Sequence, residues 1–290
     1  MKATWRLAIG IAPLAMLLLA GCGTALPMKW YVRRGPAYND VMPTVDRIGL
    51  VVDAAVSYER VGTNNNFNIE DSLAAITNMI NETQSDLKAK GYEVAFLESP
   101  FVGAFKTPDT VYLVAQARKA QPSERRAPFL VAEELNADPD YRDALLKGSR
   151  LIHQALQNRG ELPTEQLRSD ETVRQTLSAI AAKKNVRFLL LVQGDGTIVS
   201  GGKQVGQQIG TAMLSSVISL GSVVVTAHNV STLDSYVSLI DLKEAEVLWS
   251  NSLRLGGLNP ANSEHYKRRW AYNVLYWLPP RGNLEPPRRK

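Results

Sequence analysis

Apolar residues run almost unbroken from Leu7 to Ala20, behind a short start that carries Lys2 and Arg6. The run falls short of the roughly 20 residues that a spanning helix needs. A positive start, an apolar middle and the small residues Ala20 and Gly21 predict an export signal over residues 1–21. Residues 22–46 hold Pro27, Gly35, Pro36 and Pro43 with little periodicity, the pattern of a tether. Residues 47–56 are a near-continuous apolar run, which suits a strand buried on both faces. After a polar loop, Ile69, Leu73, Ile76, Ile80 and Leu87 recur at helical spacing, with Asn68 placed to cap the helix and Gly91 to end it. Residues 92–97 then read as a strand, completing a β-α-β unit whose two strands should be parallel.

The middle of the chain is helical by the same criterion. Tyr141, Ala144, Leu145, Leu151, Ile152 and Leu156 line one stretch, 138–159, and Val173, Leu177, Ile180 and Ala181 line another, 170–184. Gly160 and Pro163 break the chain between them. Residues 186–192 are again fully apolar and predict a buried strand, with Gly194-Asp195-Gly196 as the turn that ends it. Two strands near 236–242 and 247–255, with only residues 243–246 between them, predict an antiparallel hairpin. Tyr266, Trp270, Val274 and Trp277 mark a final helix over about 263–277, and a basic, proline-rich tail follows at 279–290. These elements fit one α/β domain over 47–278, in which helices pack on a mixed parallel and antiparallel sheet.

A glycine-rich insertion at about 201–222 departs from this plan. Gly202, Gly206 and Gly210 fall on every fourth residue, and small and apolar residues including Met213 and Val217 continue the segment. On a helix the glycines would form one flat strip along which another backbone can approach closely. Three readings stand beside one another: a helix packed on its own domain, a surface for self-association or membrane contact, or paired strands. The last arises because glycine costs a helix roughly 1 kcal/mol per residue. Gln207 and Gln208 argue against a simple spanning helix, because amides in lipid need partners. Gly202, Gly206, Gly210, Met213 and Val217 are the candidate interaction residues.

Composition adds limits. Hydrophobic residues are 45% and charged residues 21%, enough for a sizeable core. The formal net charge of +5 falls to +3 once Lys2 and Arg6 are removed, so charge alone names no anionic partner. Basic residues do cluster at Lys29, Arg33 and Arg34 and at Arg281, Arg288, Arg289 and Lys290, where they either lie against lipid head groups or peptidoglycan or are simply solvated. No aromatic-basic signature or finger spacing points to nucleic acid. A phosphate loop fails at residues 196–203, where Thr197 and Gln204 stand at positions that require other residues. His153, His228 and His265 have no metal-ligand spacing, and Ser200 and Ser231 lack a nucleophile-elbow context. Asp53 ends a parallel strand without a paired acid or base, which predicts a structural role. The expectation is a protein that is not an enzyme and uses no cofactor or metal.

Cys22 is the sole cysteine, so no intramolecular disulfide can form. Leu19-Ala20-Gly21-Cys22 resembles the bacterial lipobox, whose cysteine is acylated before cleavage just ahead of it. That resemblance implies a lipid anchor at Cys22, and Gly23 in place of an aspartate implies the outer membrane rather than the inner. The order of elements, with "GYEV", "NVRFLLLVQGDG" and the hairpin "SYVSLIDLKEAEVLWSNSL", resembles the α/β domain at the N-terminus of TolB. The same domain recurs in the curli secretion-channel lipoprotein and in lipoprotein activators of peptidoglycan synthases. Asp241-Leu242 and Leu248-Trp249 match the hairpin of those families, while Lys243-Glu244-Ala245 lacks their turn glycine. The resemblance implies a TolB N-terminal-like fold. It also implies a lipid-anchored, periplasm-facing accessory protein that binds envelope proteins, with an oligomeric outer-membrane channel or export component as the alternative.

Overall fold

The computed structural model describes residues 31–59, 66–103, 105, 129–130, 135, 137–157, 162, 164–199 and 231–286. Residues 1–21, expected as an export signal, Cys22 and the whole glycine-rich stretch lie outside the described residues, as does the end of the basic tail.

The strands are β1 (Tyr31–Arg34), β2 (Arg47–Glu59), β3 (Asn66–Phe67), β4 (Glu93–Val102), β5 (Phe129–Leu130), β6 (Phe188–Val199), β7 (Thr232–Asp241) and β8 (Glu246–Gly256). They form a single eight-stranded sheet in the order β1-β8-β7-β6-β2-β4-β5, with β3 paired to β2. As expected, β2 and β4 are parallel; β2 and β6 are parallel too, and the remaining pairs are antiparallel. The helices are α1 (Tyr38–Val41), α2 (Ile69–Ala89), α3 (Pro139–Gln157), α4 (Thr164–Ser169) and α5 (Glu171–Lys184). A last helix, α6, starts at Ser263–His265, widens to π-helical geometry over Tyr266–Trp270 and closes at Ala271–Val274. The fold is therefore of the mixed-sheet α/β class that the hydrophobic pattern predicts.

Alternation along the central strands divides the core into two layers. Ile48, Leu50, Val52, Ala54 and Val56 of β2, with Leu190 and Val192 of β6, face one side, where Ile69, Ile76, Met79 and Leu87 of α2 and Tyr266, Trp270 and Val274 of α6 cover them. Val51, Leu189 and Leu191 face the other side, under Tyr141, Leu145 and Ile152 of α3 and Val173, Leu177 and Ile180 of α5. The helix ends follow local chemistry. The Asn68 side chain accepts the Asp71 N–H at 3.0 Å, and Gly91 just past the end of α2 has φ +83. Asp170 caps α5 through the N–H groups of Thr172 and Val173.

Three expectations are corrected. Gly194-Asp195-Gly196 is not a turn: β6 continues through it to Val199, in unbroken register with β2 and β7. Glycine is there because space is missing. A Cβ on Gly194 would lie 3.0 Å from the Met79 sulfur, and one on Gly196 would lie 2.8 Å from Pro260 Cγ. Residues 31–46 of the tether expected over 22–46 belong to the domain, since β1 pairs with β8 and Tyr38, Met42 and Val45 are buried in the first core layer; residues 22–30 lie outside the described residues. The tail expected from 279 is laid on the domain as far as residue 286. There the Pro279 carbonyl accepts the Tyr92 hydroxyl, the Leu284 carbonyl accepts the Tyr38 hydroxyl, and Glu285 pairs with Arg34. Short runs rich in proline carry no periodicity, so the pattern of the sequence did not show these contacts.

The β7–β8 hairpin shows how its turn works without glycine. Asp241, almost fully buried, accepts the N–H groups of Lys243 and Glu244 on one carboxylate oxygen and pairs with Arg187 through the other. Ala245 then adopts φ +51, the left-handed conformation that glycine would take more easily.

Candidate functional site

The sheet face under α3 contains a buried polar cluster among apolar residues. Asp53 is in the middle of β2, not at its end, and is fully buried; Gln193 is its neighbour on β6 and Tyr236 the next on β7. Residues side by side across a sheet share a face, so the three form one row. Ser149 and His153, one turn apart on α3 and each 3% exposed, come down onto that row.

Asp53 Oδ1 accepts the Gly103 N–H at 2.6 Å, and its Oδ2 accepts the Phe105 N–H at 3.1 Å and the Ser149 hydroxyl at 3.3 Å. The Gln193 amide donates to the Ser149 carbonyl at 2.9 Å and to Ser149 Oγ at 2.8 Å. That fixes which end of the amide is oxygen, and Gln193 Oε1 faces His153 Nδ1 at 3.3 Å. Only a protonated Nδ1 gives this contact a donor. The imidazole is held between Phe105, at 4.4 Å between ring centres, and the edge of Tyr236, at 4.7 Å.

The three residue types of a hydrolytic triad are thus present, but their bonding is different. A nucleophilic serine needs a base aimed at its hydroxyl. Here the hydroxyl donates a hydrogen bond to a carboxylate that also accepts two backbone N–H groups, while the histidine bonds to glutamine. These hydrogen bonds tie the end of β4 and the chain beyond it to β2, β6 and α3. His153 is buried with its Nδ1 on Gln193, and His265 Nδ1 accepts the Asn259 N–H at 2.9 Å; His228 lies outside the described residues. Ser149 and Gln193 were missed. Their traces in the sequence are polar residues interrupting apolar positions: Gln193 directly after a fully apolar strand, and Ser149 and His153 on the buried stripe of α3.

Around this cluster, charged groups close the edges of the second layer. Glu98, 8% exposed, accepts the Tyr141 hydroxyl at 3.2 Å and pairs with Lys184, whose ammonium lies over the Phe96 and Tyr141 rings. Burial, then the Glu98 charge, pushes the Tyr141 phenol far above its ordinary range, so it stays a donor. Glu246, 1% exposed, accepts the Ala37 N–H at 2.8 Å and pairs with Arg168 of α4. Among the described residues, no three His, Cys, Asp or Glu side chains are placed to hold a metal ion, and no helix is long and apolar enough to cross a membrane. Of the candidates named from sequence, Cys22, Gly202, Gly206, Gly210, Met213 and Val217 all lie outside the described residues.

No protein-family model and no curated protein matches the chain. Among solved structures, it is similar to a single-residue variant of the PelC dodecamer from Paraburkholderia phytofirmans, at 11% identity and a TM-score of 0.32, over 88% of this chain and 99% of that one. A second PelC dodecamer structure from the same organism is similar at 10% identity and a TM-score of 0.28, over 86% and 91%. At these values the likeness assigns no family and no activity.

Proposed function

We propose that the chain is a lipid-anchored accessory protein of the bacterial envelope. It is held by Cys22 at the periplasmic side of the outer membrane and binds other envelope proteins to support a secretion, transport or cell-wall complex. The observation that carries this reading is Leu19-Ala20-Gly21-Cys22 at the end of an export signal, with Cys22 the sole cysteine. Acyl chains contribute about 0.8 kcal/mol per buried CH₂, so several chains on one cysteine anchor a protein without a spanning helix. A non-enzymatic role is supported by the bonding at Ser149, His153 and Asp53, where the imidazole meets the Gln193 amide rather than the serine hydroxyl. The fold acts as a scaffold whose surface meets partners.

The spacing of Gly202, Gly206 and Gly210 favours a second reading, in which the protein assembles with copies of itself as a channel or export component. Recovery of the acylated protein from gently solubilised envelopes, beside a Cys22→Ala version, tests both. The accessory reading expects a defined set of envelope proteins with the anchored form only. A large homo-oligomer without other proteins supports the second reading, and the same proteins at equal yield with both forms contradict an anchor-dependent role.

A further inference from the structure

We propose that the outer side of α6 is the surface with which the protein lies against anionic phospholipid. This rests on the lipid-anchor reading above, and adds to it the face of the domain that meets the bilayer. Tyr272 is 52% exposed, the most exposed large apolar side chain among the described residues. It lies one turn from Tyr276, at 5.8 Å between ring centres, and Tyr276 meets Trp277 edge-on at 5.3 Å. Beside them the Lys267 and Arg268 side chains are 59% and 83% exposed, with Glu264 the carboxylate that pairs with both. Tyrosine settles at the level of lipid head groups, where the ring is in apolar surroundings and its hydroxyl stays wet; Trp277 supports the two rings from below, packed on the core with its Nε1 buried. Lysine and arginine next to them are drawn to anionic lipid.

The position of α6 agrees with the anchor. Val32 of β1 stands opposite Asn251 of β8, and the Asn251 amide donates to the carbonyls of Val274 at 2.8 Å and Asn273 at 3.4 Å. The start of the described chain therefore lies beside the C-terminal end of α6. An extended chain spans at most about 3.5 Å per residue, so the link from Cys22 to Tyr31 reaches no further than about 30 Å. Acyl chains on Cys22 would hold this end of the molecule near the bilayer. The opposite face differs: among the described residues no large apolar side chain on α3 or α5 is exposed.

The test uses the full acylated protein in vesicles of phosphatidylethanolamine and phosphatidylglycerol whose acyl chains are brominated, which quench nearby tryptophan. In a Trp30→Phe background, Tyr272→Trp should add emission that the vesicles quench, and Arg174→Trp on α5 should add emission that they do not. Exchange of phosphatidylglycerol for phosphatidylcholine should weaken quenching at 272. The mass of the N-terminal peptide reports on acylation separately. No quenching at 272, or equal quenching at 272 and 174, overturns the proposal whether or not the acyl mass is found. A peptide without that mass overturns the anchor.

Discussion

At the residue scale, Gly196 shows how a position inside a strand can read as a turn. The sequence Gly194-Asp195-Gly196 has turn chemistry, but the glycines are required by neighbours from α2, β7 and the loop before α6. The two differ in what a methyl group would meet. At Gly194 it would meet the ends of the flexible Met79 and Leu233 side chains, and at Gly196 the ring of Pro260. Gly196→Ala should therefore lose about 1–3 kcal/mol in urea unfolding, and Gly194→Ala distinctly less; the reverse order would contradict the packing described. Asp53 makes a second case. Removal of its carboxylate in Asp53→Ala strands the Gly103 and Phe105 N–H groups and the Ser149 hydroxyl, at about 1–3 kcal/mol for each unpaired group. Urea unfolding should register a loss of several kcal/mol, while recovery of envelope partners per folded molecule stays unchanged. Unchanged stability with lost function would instead give Asp53 a chemical role.

At the scale of elements, legibility followed periodicity. α2, α3 and α5 were readable because each buries a stripe, β2 and β6 because an apolar run is buried on both faces, and Asn68 and Gly91 mark the limits of α2 by their own chemistry. Asn68→Ala should lower stability by about 1 kcal/mol through loss of the cap, measurable as a reduced melting temperature. β1 and the 279–286 segment were not readable, because they are held by scattered bonds rather than by a repeating face. One of those bonds is sensitive to pH. Arg34 holds the Glu285 carboxyl below its ordinary range, chiefly by their hydrogen bonds. A carboxyl with a lowered value in the folded state contributes stability that is complete above its ordinary range and is lost as pH falls through the lowered value. Acidification through that window should raise amide exchange at residues 281–285 before it affects β2 or β6. Exchange that rises uniformly across the sheet would contradict a local clasp.

At the scale of the whole molecule, the buried cluster was half legible: Asp53 and His153 were noticed, but their meeting with Ser149 and Gln193 depends on how α3 crosses the sheet, which no single segment encodes. The function proposed above is that of a scaffold anchored to a membrane at Cys22, with one aromatic and basic face beside the point where the described chain enters the sheet. That central claim is tested most directly by the mass of the N-terminal peptide of the protein isolated from its native membrane. The expected chain begins at Cys22, carries acyl groups and floats with the outer-membrane fraction. A chain cleaved elsewhere with an unmodified Cys22, or one that keeps residues 1–21 intact, would contradict it.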